Sequence, residues 1–281
     1  MRTIEYKAIV ETVKKMCMDA NYDLPEDVMD AFRASAENEA SPLGKSILEQ
    51  CIKNAEIAQG ERVPICQDTG LAVFFIKLGA DVRIEGGILP DAINEGVKAG
   101  YEDGYLRKSS LSDPLFDRKN TTDNTPAIVH IEIVEGEKLD ITLAPKGGGA
   151  ENMSRLAMLP PSAGEKGIVD FVVKTVVEAG GNPCPPTVIG VGIGGTFEKV
   201  AFLAKKALLH PLNEPNKDPR YNELEKMILK HINDSGIGPQ GLGGTTTSFA
   251  VHIEWAPCHL ASLPVAVNVN CHAHRHTHVV I

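Results

Sequence analysis

The sequence predicts a mixed α+β fold, with a helical N-terminal layer followed by mixed β-sheets flanked by helices. Three observations lead there. Apolar residues recur at helical spacing from residue 3 to about 60, the run "LAVFFIKLG" (71–79) is apolar and β-rich, and the second half alternates strand-like with helical segments.

In chain order, Ile4, Ile9 and Val13 can share one helical face, and "LPEDVMDAF" and "SPLGKSILEQCIKNAEIA" each carry Pro near a helix start. After the strand at 71–79, "LPDAINEGVKAGYEDG" resumes helix. The polar stretch "RKSSLSDPLFDRKNTTDNTP" then reads as an ordered loop or lid, long for a mere connection. "AIVHIEIVEG" and "KLDITLAP" read as strands paired with one another. Further on, "GEKGIVDFVVKTVVEAGG" is a glycine-ended helix, "PTVIGVGIGG" a buried strand and its turn, and "TFEKVAFLAKKALL" and "RYNELEKMILKHIND" are helices. "TSFAVHIEW" and "LPVAVNVN" close the chain as strands. The whole chain, 1–281, reads as one functional domain; a division into two lobes would fall near 105–126.

With 43% hydrophobic residues, the chain can fill a substantial core. Its 37 acidic against 28 basic residues leave a net charge of −9, which argues against a nucleic-acid binder and requires any anion site to concentrate positive charge locally. No apolar run reaches the roughly 18 residues of a membrane span, and "MRTIEYKAIVETVKKM" lacks the features of a signal peptide. A cytoplasmic location is expected, where six cysteines would stay reduced.

Cys17 and Cys51 lie in helical patterns and read as small buried hydrophobes. Cys66 in "PICQDTG", Cys184 in "NPCPP", Cys258 in "APCHL" and Cys271 in "NVNCHAH" lie instead at junctions between elements. With no CxxC pair among them, spacing leaves three readings open: unrelated free thiols, a zinc site, or an iron–sulfur cluster. Gly190, Gly192 and Gly195 satisfy GxGxxG, but the following helix leads to "HPLNEPNKDPRY" rather than to a strand ending in an acid, as a dinucleotide site requires. His272, His274, His276 and His278 alternate in the tail, which reads as partly solvated, with adventitious zinc or nickel binding as a hazard.

"PICQDTG", "KGGGAENMSRL", "GNPCPPTVIGVGIGGTFEKVAFLAKKAL", "GIGPQGLGGTTT" and "HLASLPVAVNVNCHAHRH" together resemble the class I, iron–sulfur fumarate hydratases and the related L-tartrate dehydratases, over the part corresponding to their α subunit. The resemblance implies a [4Fe–4S] cluster held by Cys66, Cys184 and Cys271, with one iron lacking a cysteine ligand, and leaves Cys258 aside. It places Gln67 and Asp68 at the substrate, with Asp68 exchanging a proton with a metal-bound hydroxyl. It makes Arg107 a carboxylate-binding residue and His259 an active-site histidine. "KGGG" becomes an anion-binding nest, with Lys146 adding charge and Gly148 and Gly149 offering N–H groups. The expected reaction is hydration of fumarate to malate in the tricarboxylic acid cycle, with tartrate dehydration as the alternative and a non-enzymatic zinc or thiol scaffold as the alternative of another class. Because the match ends at the third cysteine, the resemblance implies a separate β subunit carrying the base for the carbon-bound proton, in a heterotetramer.

Overall fold

The structure, a computed structural model, describes residues 1–281. From the N-terminus its elements are β1 (Arg2–Glu5), α1 (Tyr6–Tyr22), α2 (Glu26–Asn38), α3 (Pro42–Glu61), β2 (Leu71–Gly79), β3 (Val82–Glu85) and α4 (Leu89–Asp103). After the long polar loop come β4 (Ile128–Val134), β5 (Leu139–Lys146), the one-turn α5 (Gly148–Glu151), β6 (Arg155–Leu159), α6 (Gly164–Ala179) and β7 (Thr187–Gly194). The chain ends with α7 (Phe197–Ala207), α8 (Pro219–Asn233), β8 (Ser248–Ala256), β9 (Leu263–Asn270) and β10 (Thr277–Val280). This is an α+β fold in two compact units. Residues 1–25, 54–147 and 275–281 form the first, and residues 26–53 and 148–274 form the second. The polar stretch at 105–126 lies inside the first unit.

The first unit is built on a four-stranded sheet in the order β10-β5-β2-β4. β2 is one of its two interior strands, and "LAVFFIKLG" offers apolar side chains to both faces. Ile9, Val13, Met16 and Cys17 form the buried stripe of α1; with Ile93, Val97 and Tyr101 of α4, they pack with Phe74, Ile76, Ile141 and Leu143 in one core. Each such fully buried side chain stabilises by about 1.5–3 kcal/mol. Two expectations are corrected here. Residues 2–5 form a strand parallel to β3 rather than the start of the helix, so Ile4 enters the core from β1 and not from α1. β4 and β5 are not partners; β2 lies between them, parallel to β4 and antiparallel to β5. The tail is partly solvated as expected, with His278 exposed and His274 buried, and it is ordered as β10, which pairs with β5 and sets Val279 opposite Ile141.

The second unit carries a four-stranded sheet in the order β6-β9-β7-β8. β7 is buried along its whole length. Its Ile189, Val191 and Ile193 pack with Val172 and Val176 of α6 and Ile228 and Ile232 of α8. The alternate positions meet α7. A Cβ at Gly190 would stand 2.1 Å from the carbonyl oxygen of Ala204, and one at Gly192 would stand 2.2 Å from that of Val200. The glycine pattern is therefore accounted for by close helix–strand packing, without a dinucleotide.

Candidate functional site

In the first unit, the sequence-predicted residues gather around the loop 66–70, which enters β2. Cys66 is half-buried; its Sγ donates to Gln67 Oε1 at 3.3 Å and accepts from the Asp68 backbone N–H at 3.4 Å. Asp68 Oδ1 accepts from the Gly70 N–H at 3.0 Å, which closes an Asx turn. Gly70 has φ +74°, and any Cβ there would lie 2.7 Å from the Lys146 backbone. Only glycine fits both demands. The β2–β5 register sets Leu71 opposite Lys146, so the buried Lys146 and Gly147 arrive beside the loop, with Gly147 against the Asp68 carboxylate.

Side chains from three other segments grip this loop. Tyr101 of α4, fully buried, donates to the carbonyl oxygens of Thr69 and Gly70, each at 3.0 Å; burial pushes its hydroxyl pKa well up, keeping it a donor. Asn124 Nδ2 donates to the Gly70 carbonyl at 3.2 Å, while its Oδ1 accepts from the N–H groups of Ser109 and Ser110 at 2.7 and 3.2 Å. Arg275 donates to the Asp68 carbonyl. In the other direction, Thr69 Oγ1 donates to the Arg107 carbonyl at 2.9 Å, fixing the backbone from which the exposed Arg107 side chain projects. Sequence reasoning missed Tyr101, Asn124 and Arg275; the one signal available was a polar residue embedded in a motif or ordered loop.

In the second unit, Cys184 and Cys271 come together. The N–H of His272 donates to the Cys184 carbonyl at 3.1 Å, which sets the two cysteine-bearing segments side by side. Cys184 is exposed at φ 56°, a left-handed conformation uncommon outside glycine and concentrated at functional sites. Gln240, at φ 52°, buttresses this turn: its backbone N–H and Nε2 both donate to the Pro185 carbonyl at 2.8 Å. Gly148 and Gly149 open α5, and Gly149 lies near the Asn182 carbonyl, two residues before Cys184. The expected nest is thus the first turn of a short helix. Glu39 holds the neighbouring "GGTTT" segment by accepting from the N–H groups of Thr245 and Thr246, each at 2.8 Å, and of Ser41 at 2.9 Å. Burial raises its pKa, but these donors outweigh burial and bring it down to about 2.

His259 is exposed in the turn after β8, and its Nδ1 accepts from the Ala261 N–H at 3.1 Å, which leaves the ring proton on Nε2. Cys258 is exposed, with Sγ donating to the Ser262 carbonyl at 3.4 Å. Cys17 is buried, and burial pushes its thiol up. Burial, and secondarily the charge of Cys184, raises Cys51 to about 11, so Cys51 lies within electrostatic reach of Cys184. The tail histidines have separate attachments: His274 Nδ1 is 2.7 Å from Asn270 Nδ2, and His278 Nε2 is 2.9 Å from Asp140 Oδ1. No three His, Cys, Asp or Glu side chains converge as a single-ion site requires, and no helix is long and apolar enough to cross a membrane.

Comparison with known proteins points to the hydro-lyases. The family model described as fumarate hydratase (Fumerase) matches residues 10–280, and the chain belongs to that family. It is 42% identical over 265 residues, 92% of each chain, to a putative L(+)-tartrate dehydratase subunit alpha of Methanocaldococcus jannaschii. To the L(+)-tartrate dehydratase subunit alpha of Escherichia coli strain UTI89 it is 36% identical over 249 residues, 87% of this chain and 81% of that one.

Proposed function

We propose that this chain is the α subunit of a hydro-lyase of the L(+)-tartrate dehydratase type, its 281 residues forming one functional domain. The observation that carries the substrate choice is the similarity to α subunits named for L(+)-tartrate dehydratase over most of both chains. The sequence reading put fumarate first. That name comes with the family description alone, so the tartrate alternative is favoured. The reaction removes a hydroxyl from one carbon and a proton from its neighbour, and the resulting enol becomes oxaloacetate.

The donor set fits an iron–sulfur cluster. Cys66, Cys184 and Cys271 are thiols outside helices and strands and in no disulfide, and two of them lie on hydrogen-bonded segments. These three would hold a [4Fe–4S] cluster whose open iron supplies Lewis acidity toward the substrate hydroxyl. The Arg107 fork binds one carboxylate in bidentate fashion, and Lys146 adds positive charge beside the loop. Gln67 donates its amide to substrate oxygen, and the Asp68 carboxylate exchanges a proton with the substrate hydroxyl. His259 presents an Nε2 donor, while Gly148 and Gly149 contribute backbone N–H groups. The base for the carbon-bound proton belongs to a partner, a β subunit joined in a heterotetramer; the relatives' description as subunit alpha supports this partnership. Anaerobic reconstitution with the β subunit, iron and sulfide analysis, and assays with L(+)-tartrate, malate and fumarate test the reading. Zinc in place of iron in active protein would refute it.

A further inference from the structure

Arg275 is only 3% exposed, so its guanidinium is almost wholly withdrawn from water. Its Nη2 donates to the Asp68 carbonyl, whereas Nε and Nη1 are buried with no hydrogen-bond partner. A guanidinium cannot shed its charge, and holding one in the interior against a neutral carbonyl alone is destabilising. A residue needed only to fill space would be better served by an apolar side chain.

The acceptor shows what the arginine does. Three successive carbonyls, those of Asp68, Thr69 and Gly70, are engaged by side chains from distant segments: Arg275 takes the first, Tyr101 the second and third, and Asn124 the third. The Asp68 carbonyl belongs to the residue whose carboxylate and neighbouring Gln67 amide face the substrate in the reading above. Of the three clamps, only Arg275 carries charge. Tyr101 lies within electrostatic reach of both Arg275 and Asp68, so that charge is placed at the loop and not elsewhere in the unit.

We propose that Arg275 is a positioning residue that fixes the Gln67–Asp68 segment through the Asp68 carbonyl, setting the direction in which both side chains meet a dicarboxylate substrate. The inference rests on reading 66–70 as part of the substrate site, and its test separates the two. In the 281-residue chain, Arg275→Met is expected to raise amide hydrogen exchange about tenfold at Asp68 and Gly70 while α1, α4 and the rest of β2 keep their protection. In the enzyme reconstituted with its partner subunit, the same variant should lose about 100-fold in kcat/KM at wild-type iron content. Arg275→Lys, which keeps charge but loses the fork, should recover at least about tenfold of that loss, with exchange raised only locally. If the Met variant does not fold, the Lys variant decides: a local rise in exchange of about threefold, with kcat/KM lowered about tenfold, supports the proposal. Unchanged exchange at Asp68 and Gly70, or a rise spread evenly over the unit, would overturn it. If the wild-type enzyme dehydrates no hydroxy-dicarboxylate, the functional reading fails while the exchange result still decides the role of Arg275 in the loop.

Discussion

The two cysteine-bearing regions are held in different ways. The 66–70 loop is fastened by side chains, with Tyr101, Asn124 and Arg275 taking its carbonyls and Thr69 reaching out to Arg107. The Cys184 and Cys271 segments are tied by main chain and side chain together: the His272 N–H and ring meet the Cys184 carbonyl, and the Gln240 N–H and Nε2 both donate to the Pro185 carbonyl. A region clamped by side chains is vulnerable to single substitutions at a distance from it. A region whose carbonyls are each met by a backbone N–H as well as a side chain loses only part of its ties to any one substitution.

The largest effect should come from the thiols themselves. Replacing Cys66, Cys184 or Cys271 by Ser is expected to abolish normal cluster assembly and lower activity by about 1,000-fold or more. Cys17→Ser and Cys258→Ser should keep normal iron and sulfide content. Arg107→Lys should reduce kcat/KM by about 10- to 100-fold with iron unchanged, because the charge remains and the bidentate fork is lost. Unchanged kinetics would remove Arg107 from the site.

Asn124→Ala sharpens the contrast between the regions. It strands the N–H groups of Ser109 and Ser110, and denaturation of the chain should show a loss of about 1–3 kcal/mol. Amide exchange should rise around 66–70 and 107–110, with the Cys184 turn unaffected. Glu39 provides the reciprocal test in the second unit. Its folded pKa, about 2, lies below the unfolded value, so its stabilisation is present at neutral pH and disappears as pH falls from about 4.5 to 2. Glu39→Gln should therefore cost about 2 kcal/mol at pH 7 and almost nothing at pH 2, as measured by denaturation across that range.

Much of the fold was legible because long periodic segments carry their own signal. β2, α4, α6, α7, α8, β7, β8 and β9 follow directly from apolar runs, helical spacing and turn residues. β1, β3, β6 and β10 did not, being four or five residues long and defined by their partners across the sheet. The insertion of β2 between β4 and β5 is a tertiary choice that no local pattern encodes. At the site, a thiol beside amide, carboxylate and hydroxyl groups made "ICQDTG" visible. Arg275 was hidden among alternating histidines, Asn124 in a polar loop, and Glu39 at a helix end. Their roles depend on bonds to carbonyls and N–H groups distant in sequence.

The central proposal is that this chain, with a partner subunit, carries a thiol-ligated centre for dehydrating a hydroxy-dicarboxylate. Its most direct test is anaerobic reconstitution of the chain with its β subunit, iron and sulfide, followed by parallel assays on L(+)-tartrate and malate at known iron content. Oxaloacetate formed from L(+)-tartrate, faster than fumarate from malate and lost together with the labile iron on exposure to air, is the predicted result. Full turnover without iron, or no turnover of either substrate by enzyme carrying its full complement of iron and sulfide, would contradict it.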